Sequence, residues 1–422
     1  MTLSSDMKMT EVGLVPKEWD VLSLSEVGRF SKGSGITREQ SNSGILPCVR
    51  YGEIYTTHDN YIREFSSFIS PEVALTSTRL SKGDILFAGS GETKEDIGKA
   101  VAFIGDEEAY AGGDIIILSP KIDSSSVYLG FVLNDYESIR QKSSLGQGDA
   151  VVHIHAKELA NVLIPFPHPS EQHKIAQALS DIDTLISGFD KAVTKKRLMK
   201  KGVLQQLISG KTRLKGFDTP WTEKTIGEIG YTFSGITGKG KADFGHGRSR
   251  YISFLNVLNN PYINTDILEP VDIDPVSENQ NEVRKGDLFF NTSSETPEDV
   301  GTCSTLLIDV ENVYLNSFCF GYRLEDEEMS GLFLSYYFRS AIGRKEMTML
   351  AQGATRYNLS KENFNKIVVT VPPTKKEQDR IAGILTAMDK EIAALEAERD
   401  KYKNIKQGMM QKLLTGQIRL PV

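Results

Sequence analysis

The sequence predicts an α+β chain: two tandem mixed α/β domains separated by two long antiparallel coiled-coil helices, with an internal pseudo-twofold repeat. Three observations carry this expectation. The chain duplicates itself at a period of just over 200 residues. Each copy ends in a heptad seam about 40 residues long. Ahead of each seam lie short β-rich runs punctuated by Gly, Pro, Asn and Asp.

The duplication is colinear from end to end. Pro16, Trp19, Leu24 and Glu26 lead into Ser34-Gly35-Ile36-Thr37; Pro220, Trp221, Ile226 and Glu228 lead into Ser234-Gly235-Ile236-Thr237. KGDILFAGSGETKEDIG, from Lys82, returns as KGDLFFNTSSETPEDVG, from Lys285. Gly146-Gln147-Gly148 is echoed by Ala351-Gln352-Gly353, and Pro167…Glu171-Gln172…Ile175 by Pro372…Glu377-Gln378…Ile381. LQQLISGKTRL, from Leu204, matches MQKLLTGQIRL, from Met410. The expected boundaries are residues 1–169 and 218–373 for the mixed domains, with 170–217 and 374–422 for the helices.

In the mixed domains, DILFAGS, AVAFIG, DIIILSP, NVLIPF, DLFFNTS, STLLIDV and KIVVTVP read as strands. Val127–Lys142 and Gly331–Met347 read as helical patches. In the first long helix, Ile175, Leu179, Ile182, Ile186, Phe189 and Val193 step by four and three. In the second, Ile381, Leu385, Met388, Ile392, Leu395 and Tyr402 form the seam. Each helix starts at prolines (Pro169; Pro372-Pro373) and stops at glycine (Gly210; Gly416). At 1.5 Å per residue each is roughly 60 Å long. A seam of that length cannot bury itself alone, so the two helices are expected to pack on each other.

Composition narrows the function. The chain has 422 residues and a formal charge of −7, which looks wrong for a protein that binds polyanions. By region, residues 17–169 carry 14 basic and 21 acidic side chains, and 218–373 carry 14 and 22. Residues 170–217 carry 10 and 4, and 374–422 carry 10 and 7, so positive charge gathers in these two stretches, with nine Lys or Arg and no acid from Lys191 to Lys215. That stretch is read either as a solvated face or as a contact for phosphate or a partner subunit. Cys48, Cys303 and Cys319 are too few for a disulfide framework or a zinc cluster. No apolar run approaches the roughly 20 residues that span a bilayer, and the N-terminus lacks a signal-peptide pattern. The expectation is a cytoplasmic protein with no membrane association.

In this order and in both copies, the Pro/Trp entry (P-x-x-W in the first, Pro220-Trp221 in the second), the S-G-x-T loop, the K-G-D strand, the G-Q-G or A-Q-G turn and the Pro…Glu-Gln…Ile run into the helix resemble the specificity subunits of type I restriction–modification systems. The resemblance covers essentially the whole chain. It implies a non-catalytic subunit whose mixed domains are target-recognition domains, each reading one half of a split DNA site, with the helices as spacer. It also implies partners: double-stranded DNA, two methyltransferase subunits that carry S-adenosylmethionine and adenine-N6 chemistry, and restriction/translocase subunits. No cofactor, metal or catalytic residue is expected in this chain. Base edges are distinguishable in the major groove, so the reading loops are the candidate sites. With so little net positive charge, the chain alone should bind DNA weakly. Two alternatives stand beside this reading: a coiled-coil interaction protein that reads no DNA sequence, and an orphan specificity subunit of a methylation-only system.

The loop candidates fall into matched groups. Lys32, Ser34, Thr37 and Arg38 belong to the first S-G-x-T loop; Ser234, Thr237, Lys239 and Lys241 belong to the second, followed by Arg248 and Arg250. Ser90, Thr93 and Lys94 sit in SGETK, and Ser293, Ser294 and Thr296 in SSETP. Gln147, His153 and His155 lie in the GQG…VVHIH stretch, against Gln352, Arg356 and Tyr357 in AQGATRYNL. Glu92 and Glu295 belong to the repeated skeleton, which favours a structural role. His153 and His155 could share a strand face, but without Cys or Asp partners a DNA contact or a turn is the better reading than a metal.

Two further motifs are weighed against this. GITGKGKA, from Gly235, fits a phosphate loop except that Ala242 replaces the hydroxyl that holds Mg²⁺. Asn259-Asn260-Pro261-Tyr262 resembles an adenine-methyltransferase tetrad without its first proline. Both read better as loop and turn.

Overall fold

A computed structural model describes residues 6–148, 150–353 and 356–420. Ala354 and Thr355 of the AQGATRYNL stretch lie outside the described residues. The chain divides into two compact units: Met1–Asp190 with Ala397–Val422, and Lys191–Glu396. Each long helix contributes one segment to each unit.

In the first unit an antiparallel sheet runs in the order Ala100–Ala102, Ile85–Ala88, Ile115–Pro120, Gly28–Lys32. The second unit repeats it as Cys303–Thr305, Leu288–Asn291, Cys319–Leu324, Gly230–Ser234. The central strand reads as an unbroken apolar run because both faces are covered. Side chains alternate across a strand, so Ile85 and Phe87 enter the core against the helices, while Leu86 and Ala88 enter a second core. Leu288 and Phe290 part from Phe289 in the same way. The second core lies against a smaller sheet in each unit, in which Leu46–Val49 runs parallel to Tyr110–Ala111, and Phe244–Ile252 parallel to Val313–Leu315.

The helical patch in each unit is two helices rather than one: Ser126–Val132 and Tyr136–Leu145, then Gly331–Arg339 and Ala341–Leu350. The breaks fall where Asp135 and Ser340 take N-cap positions, residue types that compete with helical hydrogen bonding.

The long helices are Pro169–Ile208 and Lys375–Leu413. Proline at the first helical position costs no hydrogen bond, and Gly210 and Gly416 take the left-handed conformation that closes a helix (φ 67° in each). Within the first unit the segments pair antiparallel: Asp183 meets Lys406 at 2.6 Å, Phe189 stacks on Tyr402 at 5.6 Å, and Asp190 meets Arg399 at 3.4 Å. Within the second, Lys196 bridges to Glu391 at 2.6 Å, Arg197 pairs with Glu396 and Lys200 with Asp389. The expected seam is the buried one. Ile175, Leu179 and Ile182 are buried in the first unit, and Val193, Ile381, Leu385 and Ile392 in the second. Ile186, Phe189, Met388, Leu395 and Tyr402 are partly buried.

Two features of the helices were not legible as a seam. First, each unit holds a polar layer, Asp183 with Lys406 and Asp389 with Lys200. Polar pairs inside a coiled coil fix register more than they stabilise it. Replacing Lys406 by methionine should cost about 2 kcal/mol, because Asp183, 6% exposed, is left with only Arg63 at 3.3 Å. The double variant Asp183→Leu/Lys406→Met should recover most of that in a denaturant titration. Second, the basic stretch from Lys191 to Lys215 is matched by acids of the other helix. Lys196, Arg197, Lys200 and Arg213 are spent on ion pairs, while Lys191, Lys195, Lys201, Lys211 and Lys215 have none among the described residues.

A buried clasp explains the Trp, Glu-Gln and Arg motifs together. The Trp19 indole N–H donates to the Glu171 carboxylate at 3.0 Å, and the Arg419 guanidinium donates to the same carboxylate at 2.8 Å. In the second unit Trp221 donates to Glu377 at 3.3 Å, and Arg213 makes two bonds to it at 2.9 and 3.0 Å. Gln172 accepts from the Ser125 amide at 3.0 Å and donates to the Pro167 carbonyl at 2.8 Å. Gln378 does the same with Ser330 and Pro372.

Candidate nucleic-acid interface

The shared frame brings residues far apart in sequence into one place, twice. Ser90–Gly91 pairs antiparallel with Val152–His153, and the Ser90 hydroxyl lies 3.0 Å from His153 Nδ1. Gln147 and His153 exchange backbone hydrogen bonds of 2.9 and 2.8 Å, which closes the G-Q-G turn onto this ribbon. In the second unit Ser293–Ser294 pairs with Tyr357–Asn358, and Gln352 exchanges bonds of 3.0 and 2.8 Å with Asn358. The Ser-Glu-Thr loop and the G-Q-G stretch are therefore one surface in each unit. Lys94, Gln147, His153 and His155 are exposed on the first, and Gln352 and Arg356 on the second; Tyr357 is partly buried. His153 faces Ser90 and His155 precedes the short helix Ala156–Leu159. Among the described residues no group of three His, Cys, Asp or Glu gathers as a metal site.

The threonines of these loops are turned to the protein. Thr93 Oγ1 donates to Asp96 at 2.7 Å and Thr296 Oγ1 to Asp299 at 2.6 Å. These bonds lock the T-x-x-D turn shared by both copies, which accounts for the repeated acids without any carboxylate chemistry. Glu92 and Glu295 stay exposed beside them.

The S-G-x-T loops are fastened differently in the two units. In the first, the Ser34 hydroxyl donates to the Thr76 carbonyl at 2.9 Å and the Thr37 amide donates to Gln40 at 2.9 Å. Ile36 holds a left-handed backbone (φ 60°), a strained state for a β-branched residue, kept there by burial among Cys48, Ile69 and Tyr110. Lys32 and Arg38 are exposed. In the second, the Thr237 amide donates to Gln280 at 3.0 Å and Asn281 donates to the Ser234 carbonyl at 3.1 Å.

Lys239 is not the free cation expected. Its ammonium lies 2.7 Å from Glu278 and its side chain is 14% exposed. The neighbouring carboxylate holds its pKa above the ordinary lysine value. Lys241, Arg248 and Arg250 are exposed.

Neither rival motif forms its site. Lys241–Asp243 is a single short turn that runs into the strand Phe244–Ile252. A phosphate loop needs a helix whose N-terminus faces the anion, and none follows. Asn259–Tyr262 is a turn pinned from inside: Arg339 donates to the carbonyls of Val257 at 2.6 Å, Leu258 at 3.0 Å and Asn260 at 2.6 Å.

One neighbouring turn was not singled out in the sequence. The turn Gly112–Asp114, and its counterpart Asn316–Phe318, sits between the two loop groups. Gly113 N–H donates to the Gly35 carbonyl at 3.0 Å, and Gly89 N–H donates to the Asp114 carbonyl at 2.8 Å. In the second unit Ile236 N–H donates to Leu315 at 2.7 Å and Thr292 N–H to Phe318 at 2.9 Å. The signal was present in the sequence as GGD against NSF between matched strands.

A twice-built frame of strands and clasped helices, with exposed polar loops that differ between copies, defines a two-module recognition protein. Comparison places it more narrowly. The model of the type I restriction modification DNA specificity domain matches residues 16–195 and 219–406. The chain belongs to this family and is a DNA sequence-specificity subunit. It is 23% identical over 435 residues to the type I restriction enzyme MjaVIII specificity subunit of Methanocaldococcus jannaschii, covering 96% of this chain and 94% of that protein. It is 20% identical to the EcoKI specificity subunit of Escherichia coli, covering 96% and 90%. In fold it is similar to the crystal structure of a type I restriction–modification S subunit from M. genitalium, with a TM-score of 0.61 at 15% identity over 98% of both chains. No helix among the described residues is long and apolar enough to cross a membrane.

Proposed function

We propose that each unit reads one half of a bipartite, asymmetric DNA site through the major groove, and that the helix pair sets the gap between halves. The observation that carries this is the repeated loop surface: one frame, with different exposed residues at matching places. His153 stands where Asn358 does, and Lys94 where Pro297 does. A frame held constant while its surface changes suits two different words read by one mechanism. Each helix, about 60 Å long, can hold two readers a helical turn of DNA apart.

The chain carries more acidic than basic side chains in both mixed regions. Phosphate affinity must then come largely from partners. Two methyltransferase subunits docked along the helices would supply it, with S-adenosylmethionine and adenine-N6 chemistry of their own. Restriction/translocase subunits complete the assembly in this reading.

The test is single-molecule sequencing of adenine methylation in cells that express this chain with its methyltransferase subunit. A split motif that disappears when this chain alone is withheld is the expected result. Methylation that persists unchanged without it would sink the proposal.

A further inference from the structure

The turn between the two loop groups differs in chemistry between the units. In the second unit Asn316–Phe318 forms a tight turn, closed by Cys319 N–H to the Asn316 carbonyl at 3.1 Å, with Phe318 N–H on the Asn316 side chain at 2.8 Å. Phe318 is 59% exposed. Single exposed apolar residues are ordinary on a surface, so exposure alone says little. Placement says more. The Phe318 carbonyl holds the amide of Thr292, the residue before Ser293, and the preceding Leu315 carbonyl holds Ile236 of the S-G-x-T loop. The backbone that carries the phenyl ring is therefore tied to both candidate reading loops. In the first unit the matching residue is Asp114, whose carbonyl holds the Gly89 amide as Phe318's holds Thr292, while Gly113 N–H ties the turn to the Gly35 carbonyl of the S-G-x-T loop; Asp114 is exposed and left-handed (φ 60°), a conformation that Asp tolerates. The frame keeps the position and exchanges a ring for a carboxylate.

We propose that this position is a specificity determinant in each unit: Phe318 packs against the C5-methyl of a thymine, and Asp114 accepts a hydrogen bond from the amino group of a cytosine. This rests on the reading of each unit as a half-site reader. The physical basis is that the thymine methyl is the apolar mark of the major-groove edge, whereas the cytosine N4 amino group is a donor that carboxylates accept. Neither contact needs a phosphate, which fits residues that add no positive charge.

The test uses the complex with its methyltransferase subunit. Phe318→Ala should relax one thymine position in one half of the methylated motif and leave the other half and the gap unchanged. Phe318→Leu, which keeps an apolar contact, should preserve the thymine. Asp114→Ala should relax one cytosine in the other half. In a binding assay with duplex oligonucleotides, deoxyuridine in place of that thymidine removes one methyl group. It should weaken the wild-type complex by about fourfold and leave Phe318→Ala unaffected. An unchanged motif and an undiminished deoxyuridine effect in Phe318→Ala would overturn the assignment while leaving the half-site reading intact. A wild-type complex that yields no two-part motif would overturn both.

Discussion

Replacing Glu171 by alanine should destabilise the first unit by about 3 kcal/mol, and Glu377→Ala should cost the second unit about half as much. The two clasps have the same parts and equally buried carboxylates, but their tryptophans are not equally buried. Glu171 is 2% exposed and holds Trp19, which is 1% exposed; without the carboxylate the indole N–H has no route to water. Arg419, 38% exposed at its side chain, can turn to solvent, so most of the loss is borne by the tryptophan and by the packing it anchors. In the second unit Trp221 is only partly buried, its bond to Glu377 is longer at 3.3 Å, and water can replace the lost acceptor. The chain has two tryptophans, one per clasp. Denaturant titrations followed by fluorescence, with the other tryptophan changed to phenylalanine, therefore report on each unit separately. Equal losses in the two units, or a loss under 1 kcal/mol at Glu171, would show that the clasp is a decoration of the frame rather than a fastening.

The clasp also marks where sequence reasoning stops. Glu171-Gln172 and Glu377-Gln378 stood out because they recur with their prolines and isoleucines. Their task was invisible, because Arg419 lies 248 residues from Glu171 and Arg213 lies 164 from Glu377. Local periodicity exposes what a residue shares with its neighbours three, four or two positions away. It found the heptad seam, and it found the buried strands. It does not expose a contact made by folding. The pairing of Ser90 with His153, 63 residues apart, was therefore visible in the sequence only as two separate loops.

The opposite kind of miss is also physical. Nothing in the sequence singled out Asp183 or Asp389, yet they close ion pairs between the helices. Lys239 looked like a cation offered to DNA until Glu278, 39 residues away, occupied it. Charge in a sequence gives a count, and only the fold decides which charges cancel. Asp114 and Phe318 escaped for a third reason. Attention to repeated residues selects the frame, whereas a specificity determinant has to be one of the residues that do not repeat.

Lys142 shows how much such a cancellation can matter when no partner is supplied. Its side chain is 1% exposed, and its ammonium donates to the carbonyls of Gly98 and Leu133, both at 2.7 Å, with no carboxylate bonded to it among the described residues. Burial pushes its pKa down to about 7 from an ordinary 10.5. Below that pH the lysine is charged in the folded and unfolded chain alike, and the fold carries the whole cost of burying the charge. Between about pH 7 and 10 the unfolded chain holds a proton that the folded chain has released, so stability climbs with pH through that window. Burial depresses Lys99 with the same sign, so the climb belongs to both lysines and only a comparison isolates one. The repeat supplies the substitution. Gly98 lies against the Lys142 stem as Gly301 lies against Met347, so methionine already fills this place in the second unit. Lys142→Met should lose roughly 2–3 kcal/mol of the wild-type gain in stability between about pH 6 and 9. The two carbonyls lose their donor at every pH, so the difference in slope, and not the stability at one pH, carries the test. Identical slopes would mean that Lys142 stays charged and hydrated in the folded chain. A shallower slope in the variant would mean that the exit of the Ser90–Gly98 loop, which Lys142 grips through the Gly98 carbonyl, is held by a lysine that is neutral above neutrality and charged below it. The same variant should then weaken the pH dependence of binding to the half-site read by the first unit, and leave the other half-site as it was.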